Sequence, residues 1–103
     1  MEYVGKIIFD ELLYENRKFI IYGFGVQGKK IFEFLKSIGN EKNVVGFCDR
    51  DAASITNSEF LILHPDEAVK SGNVDFLVSG KHEYEMIQYL LANGVSRIHL
   101  LWM

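Results

Sequence analysis

Three glycines of this chain, Gly23, Gly25 and Gly28, have the spacing G-x-G-x-x-G. A turn of this kind joins a strand to a helix and can bind a pyrophosphate. Its first glycine permits a tight turn, its second lets a phosphate approach the backbone, and its third lets the helix lie close to the sheet. The N-terminus of the helix adds N–H groups and a partial positive charge. The other residues of this candidate phosphate-binding turn are Phe24, Val26 and Gln27.

An acidic residue, Asp49, lies about twenty positions beyond the glycines, where dinucleotide-binding folds place a carboxylate that accepts hydrogen bonds from a ribose. It ends a second apolar stretch and is followed by Arg50. Because Asp49 would repel a 2′-phosphate, the sequence predicts that a bound dinucleotide is NAD and not NADP. Arg50 leaves the opposite preference open, since an adjacent arginine can accept that phosphate.

The elements needed to position these residues are present in the pattern. An apolar strand, Phe19–Tyr22, leads into the glycine turn, and a helix over Val26–Ile38 follows it. The apolar positions of that helix recur every three or four residues, and Gly28 lies on the same stripe. We therefore expect Gly28 to pack against the sheet, as its position in the motif requires. A second strand, Asn43–Cys48, leads directly to Asp49.

The remaining chain continues the alternation of strands with helices. The further predicted elements are an N-terminal amphipathic helix over Glu2–Glu15, a strand at Phe60–Leu63, a short helix from Pro65, a strand at Val74–Ser79, a helix over Glu83–Asn93 and a half-exposed edge strand at Ser96–Trp102. This alternation predicts an α/β, Rossmann-like three-layer sandwich with a five-stranded parallel sheet in the order 3-2-1-4-5 and an extra N-terminal helix. One domain then covers residues 1–103, with the helix in 1–16 and the βα core in 19–102.

That strand order places the loop after the fourth strand beside the glycine turn. The loop contains Ser79, Gly80 and Lys81, which can supply a hydroxyl, backbone amides and a cation. It is either the second side of a nucleotide site or an ordinary turn between a strand and a helix.

Composition limits the classes of function. The 103 residues fit one domain, and the net charge of -3 disfavours nucleic acid as a general partner. The sequence has no apolar run of the length of a membrane span and no signal peptide at its start. Cys48, the single cysteine, falls in a predicted buried strand. A reducing, cytoplasmic setting is therefore expected.

The three histidines, His64, His82 and His99, lack the spacing of metal ligands. His64 precedes a proline and is expected to cap a helix. His99 is expected on the surface of the edge strand. The sequence accordingly predicts no metal site.

The segments 20–29, 44–51, 63–67 and 74–79 together resemble a bacterial Rossmann-like domain of polysaccharide synthesis. The resemblance is to the N-terminal nucleotide-sugar-binding domains of sugar acyltransferases and of membrane-linked nucleotide-sugar dehydratases. It implies that the turn from Gly23 to Gly28 faces phosphates and that Asp49 faces a ribose or a base, with Arg50 and Asp51 in the same segment. The chain departs from the family at 57–60, which lacks a G-x-P-V-like turn, and it has no acyltransferase or dehydratase portion.

The sequence therefore predicts a nucleotide-binding module, for a nucleotide-sugar or NAD(P), without a complete active site of its own. We expect it to contact a catalytic domain or a second copy through the N-terminal helix or the edge strand that contains Trp102. Two other interpretations stay open. One is an interaction or regulatory Rossmann domain without a ligand, and the other is a small NAD-dependent oxidoreductase whose site is completed by oligomerisation.

Overall fold

The computed structural model describes residues 2–4, 17–56, 58–79 and 82–101. Within this part of the chain, six parallel strands form one sheet in the order β1-β6-β5-β2-β3-β4. The strands are β1 (Glu2–Val4), β2 (Phe19–Tyr22), β3 (Val44–Cys48), β4 (Ile62–Leu63), β5 (Asp75–Val78) and β6 (Ile98–Leu101). The architecture is α/β and Rossmann-like. The five predicted strands and their order are confirmed, and β1 adds a sixth.

The helices lie in the connections between strands. They are α1 (Val26–Ser37), α2 (Pro65–Ala68) and α3 (Glu83–Ala92), with short 3₁₀ turns at Glu41–Asn43 and Ala52–Ser54. His64 caps α2 as predicted, because its Nδ1 accepts a hydrogen bond of 3.1 Å from the backbone N–H of Asp66. Among the described residues, no helix is both long enough and apolar enough to cross a bilayer.

The sheet has an apolar layer on each face, as expected for a parallel sheet between helices. On one face, Phe19 and Ile21 of β2 share a buried cluster with Ile31 and Leu35 of α1. On the other face, the alternate residues of β2 share a cluster with Ile87 and Leu90 of α3. All four residues of β2 are buried, so the strand that leads into the glycine turn is fixed at the centre of the molecule.

Strand β4 is shorter than the predicted Phe60–Leu63. The backbone N–H of Phe60 donates to the Ser58 hydroxyl at 3.0 Å, which forms a turn immediately before the strand. Strand β4 also lies very close to β3. A Cβ on Gly46 would lie 2.6 Å from the carbonyl oxygen of Leu61, so this pairing requires a glycine.

The predicted N-terminal helix is wrong at its start. Glu2–Val4 form β1, which pairs with β6 so that Glu2 lies opposite His99 and Val4 opposite Leu101. Residues 5–16, the rest of that prediction, lie outside the described residues. Three residues are too few for hydrophobic periodicity to distinguish a strand from a helix. What decides the conformation is the backbone pairing with β6, about a hundred residues away along the chain.

The predicted half-exposed edge strand is also wrong. Strand β6 lies between β1 and β5, and its four residues are all buried. His99, expected on the surface, is only 3% exposed, and its Nε2 lies 2.6 Å from the Oδ2 of Asp75. A polar residue at an alternate position suggested a solvated face, but here it has a buried carboxylate as its partner. Trp102 lies outside the described residues.

Candidate functional site

An open cleft follows the carboxyl ends of β2, β3 and β5. It lies where the connection from β2 leads to β3 and the connection from the adjacent β5 leads to β6, in opposite directions along the sheet. This is the switch point at which α/β sheets bind ligands. The cleft has two adjoining lobes that share Tyr22, Asp49, His82 and Met86. The glycine lobe, of about 600 Å³, is further lined by Gly23, Gly25, Val26, Gln27, Gly28 and Ser79. The carboxylate lobe, of about 400 Å³, is further lined by Arg50, Asp51, Glu85 and Tyr89.

Gly23 connects the glycine turn to the neighbouring strand. Its φ is +99°, a conformation that favours glycine, and its N–H donates to the carbonyl of Cys48 at 2.6 Å. The next residue, Phe24, directs its ring away from the cleft. That ring packs edge to face on Phe47 with centroids 4.8 Å apart, and Lys29 Nζ lies 4.7 Å from its centroid. Phe24 therefore contributes only its backbone to the candidate site.

Gly25 and Gly28 differ in what requires them to be glycine. A Cβ on Gly28 would lie 1.9 Å from the carbonyl oxygen of Gly23, so α1 approaches the turn too closely for any side chain. A Cβ on Gly25 would have no heavy atom of the described residues within 4 Å. The φ of Gly25 is −103°, which any residue adopts. Neither packing nor backbone conformation therefore requires a glycine at position 25, and the space beside it belongs to the glycine lobe.

The N-terminus of α1 carries no negative group of its own. Gly25 supplies no side-chain cap, and the first turn has no acidic residue. Helix α3 also begins at the cleft, but Glu83 and Glu85 lie in its first turn. Since a helix N-terminus has unpaired N–H groups and a partial positive charge, α1 is the better of the two for an anion.

Asp49 performs a structural task that the sequence did not reveal. Its Oδ2 accepts a hydrogen bond of 2.8 Å from the backbone N–H of Phe24, and its Oδ1 accepts one of 2.8 Å from that of Asp51. The carboxylate thus joins the glycine turn to the end of β3. Each carboxylate oxygen has a second lone pair, so Asp49 can also accept from a ligand hydroxyl in the cleft.

The structure brings most of the predicted site residues together. Arg50 and Asp51 line the carboxylate lobe, and their side chains form no hydrogen bond or ion pair within the described part of the chain. Ser79 is 8% exposed and borders the glycine lobe, as the predicted strand order requires. Gly80 and Lys81 lie outside the described residues.

Several residues that line the cleft were not predicted. Four of them lie on or immediately before α3, namely His82, Glu85, Met86 and Tyr89. Their spacing of three and four residues is that of one helix face, a signal that sequence inspection can detect. The fifth is Tyr22, the last residue of β2, whose polar tip at the carboxyl end of a strand was a further signal.

Three titratable side chains at and beneath the cleft have pKa values well above their ordinary ones, two of them chiefly because of burial. For Cys48 and Tyr22, burial is the main cause. It raises the pKa of the Cys48 thiol to about 12 and that of Tyr22 to about 12. The pKa of Tyr89 is also raised to about 12, chiefly because its hydroxyl donates to the Asp66 carboxylate. Cys48 is therefore a buried, protonated thiol, as its strand position predicted, and both phenols are neutral donors at neutral pH.

Comparisons with protein-family models, with curated proteins and with solved structures gave no significant match. The likeness to nucleotide-sugar-binding domains thus stays a prediction from the sequence.

The arrangement suits a small ligand that has an anionic group at one end, for the glycine lobe, and polar groups at the other end, for the carboxylate lobe. The glycine lobe combines an open backbone with a helix N-terminus, and the carboxylate lobe offers acceptors and one arginine. Each lobe has a volume in the range of small-molecule sites. Among the described residues, no group of three or more histidine, cysteine, aspartate or glutamate side chains could hold a metal ion.

Proposed function

We propose that this chain is a nucleotide-binding module that holds a diphosphate in the glycine lobe and a nucleoside in the carboxylate lobe. The ligand class is a nucleotide-sugar or NAD, and the sequence resemblance favours a role in glycan synthesis. The module positions its ligand for chemistry that a catalytic domain or a second copy completes.

The observation that carries this proposal is the open space at Gly25. Gly28 is a glycine because α1 would otherwise collide with Gly23, but none of the residues that the structure describes excludes a side chain at position 25. A pyrophosphate lying against the backbone is the agent that would exclude it. The uncapped N-terminus of α1 borders the same space and would interact favourably with the negative charge.

The carboxylate lobe supports a nucleoside at the other end of the ligand. Asp49 and Asp51 offer acceptors for ribose hydroxyls. The same carboxylates would repel a 2′-phosphate, whereas Arg50 of this lobe would attract it. We therefore expect NAD to bind more tightly than NADP.

In the experiment, the purified chain is titrated with UDP, a UDP-sugar, NAD, NADP and coenzyme A. Binding is measured by thermal shift and by calorimetry. A true ligand at 100 times its Kd stabilises the folded state by about 2.7 kcal/mol. Two variants that each introduce a valine are compared with the wild-type chain. Gly25→Val would place its side chain in the pyrophosphate position, and Ser37→Val alters the exposed far end of the same helix.

We expect Gly25→Val to fold with a Tm near that of the wild type and to lose the ligand-induced shift, while Ser37→Val retains it. Absence of any shift with the wild type would favour the ligand-free interaction domain. Equal ligand affinity in wild type and Gly25→Val would also contradict the proposal, because the phosphates would then lie elsewhere.

A further inference from the structure

Tyr22 occupies the junction of the two lobes. It lines both of them and is only 6% exposed. Its backbone is paired on both sides, opposite Cys48 of β3 and Val78 of β5. The ring is therefore fixed by the centre of the sheet, and the hydroxyl has a defined place in the cleft before any ligand arrives.

The Tyr22 hydroxyl has no hydrogen-bond partner within the part of the chain that the structure describes. Its oxygen is not one of the buried side-chain atoms that lack a partner among the described residues, so it is open to the cleft. Tyr89, which lines the same carboxylate lobe, donates its hydroxyl to Asp66. The two tyrosines thus differ, since one hydroxyl is satisfied inside the protein and the other is directed to the cleft without a partner.

We propose that the Tyr22 hydroxyl donates a hydrogen bond to the bound nucleotide where its phosphate joins its ribose. This inference rests on the proposed function. The place follows from the lobes, because Tyr22 lines both the glycine lobe, which takes the phosphates, and the carboxylate lobe, which takes the nucleoside. A residue at the junction meets the ester link or the phosphate oxygen nearest to it.

The chemistry of the group fits that task. The pKa of Tyr22 is raised to about 12, chiefly by burial and further by the neighbouring Cys48, Tyr89 and Asp49, whereas Arg50 lowers it. The phenol therefore keeps its proton at neutral pH and can donate to a phosphate oxygen. A neutral donor adds attraction at a place where Asp49 already contributes a negative charge.

Tyr22→Phe removes this oxygen and leaves the ring in the core. Two tyrosines provide matched controls. Tyr84→Phe alters a side chain that is 73% exposed and outside both lobes, and Tyr89→Phe removes a hydroxyl bonded within the protein. For each variant we would measure the Tm and the calorimetric Kd for UDP and for ADP, with inorganic pyrophosphate as a probe of the glycine lobe alone.

We expect Tyr22→Phe to weaken UDP or ADP binding by about 2- to 12-fold, the effect of one neutral hydrogen bond. Its Tm should equal or exceed that of the wild type, because no internal partner is lost. Pyrophosphate should bind both proteins equally, and Tyr84→Phe should change neither quantity. Tyr89→Phe should lower the Tm and affect the Kd less than Tyr22→Phe does.

An unchanged Kd for Tyr22→Phe, with a wild type that binds nucleotide, would overturn this inference and leave the proposed function standing. A fall in Tm as large as that of Tyr89→Phe would also overturn it, since the hydroxyl would then have a structural partner. Equal weakening of pyrophosphate would place the hydroxyl in the glycine lobe and not at the junction. A wild type that binds neither UDP nor ADP nor any other nucleotide would overturn both proposals.

Discussion

An aspartate lies at each end of the parallel sheet, and the two differ in burial and in hydrogen-bond partners. At the amino end, Asp75 is fully buried, and its Oδ2 lies 2.7 Å from Arg17 Nη1 and 2.6 Å from His99 Nε2. Arg97 Nε lies 3.0 Å from the other carboxylate oxygen. At the carboxyl end, Asp49 is half-buried, and among the described residues it accepts hydrogen bonds from just two groups, the backbone N–H groups of Phe24 and Asp51.

The difference separates a structural cluster from a candidate site. A buried charge is tolerated when partners surround it, and at the amino end the protein supplies three of them. At the carboxyl end, polar side chains border an open cleft without a partner in the described part of the chain, Arg50, Asp51 and Tyr22 among them. Polar groups that the fold does not satisfy are the ones available to a ligand.

The largest expected effect comes from removing the charge at the amino end. Asp75→Ala removes the buried carboxylate that the side chains of Arg17, Arg97 and His99 contact. Loss of one partner of a buried ion pair typically costs about 3–5 kcal/mol. We expect a loss of this size in the free energy of unfolding, measured by urea denaturation, with Asp51→Ala as a control that stays within about 0.5 kcal/mol. A cost for Asp75→Ala below 1 kcal/mol would contradict the structural assignment.

Acid should weaken the same cluster. Burial alone would raise the pKa of Asp75, but the hydrogen bonds from His99 and Arg17 outweigh it and lower that pKa. A carboxyl whose folded pKa is lowered stabilises the protein above its unfolded pKa, about 3.9 for aspartate, and loses that contribution as the pH falls towards the folded value. Urea midpoints should therefore decline below about pH 4. An Asp75→Asn variant should lack this part of the decline, and an identical decline in both proteins would refute the assignment.

The carboxyl end was largely predictable from the sequence because its signals are local. Gly23, Gly28 and the following helix lie within one short segment, and Asp49 follows at the distance that one helix and one strand require. The strand order came from the same logic, since alternating strands and helices restrict the topology. The hydrogen bond from the backbone N–H of Phe24 to the Asp49 carboxylate was not predictable, because it depends on the conformation of the turn.

The amino end was not predictable, because its contacts join distant parts of the chain. Arg17 and Asp75 are separated by 58 positions, and His99 and Asp75 by 24. Periodicity assigned His99 to a solvated face and the segment of β1 to a helix. Both errors have one cause, since the partners that decide these conformations lie on other strands.

A smaller loss of stability is expected from a substitution at Gly28, a residue at the carboxyl end of the sheet that the packing of α1 requires. Gly28→Ala places a methyl group against the backbone oxygen of Gly23, which cannot move aside as a flexible side chain would. Overpacking typically costs about 1–3 kcal/mol, and we expect the upper part of this range. Lys30→Ala, on the exposed side of the same helix, is the control. Equal stabilities of the two variants by thermal denaturation would show that α1 can shift away from the turn.

The smallest change in stability, and the most informative change in binding, is expected from Asp49→Asn. The amide keeps one acceptor oxygen but presents an NH₂ group to one of the two backbone donors, from Phe24 or Asp51. A hydrogen bond to a charged group contributes about 1.5–3 kcal/mol, and we expect the lower end of this range at the half-buried Asp49, well below the cost at Asp75. The substitution also removes the negative charge that would repel a 2′-phosphate, so the ratio of NADP to NAD affinity should rise.

Calorimetry on Asp49→Asn and on Arg50→Ala distinguishes the effects of the two charges. The second variant should lower the affinity for NADP and leave the affinity for NAD nearly unchanged. If Asp49→Asn leaves the ratio unaltered while Arg50→Ala changes it, Arg50 determines the choice of cofactor, and Asp49 serves the turn alone.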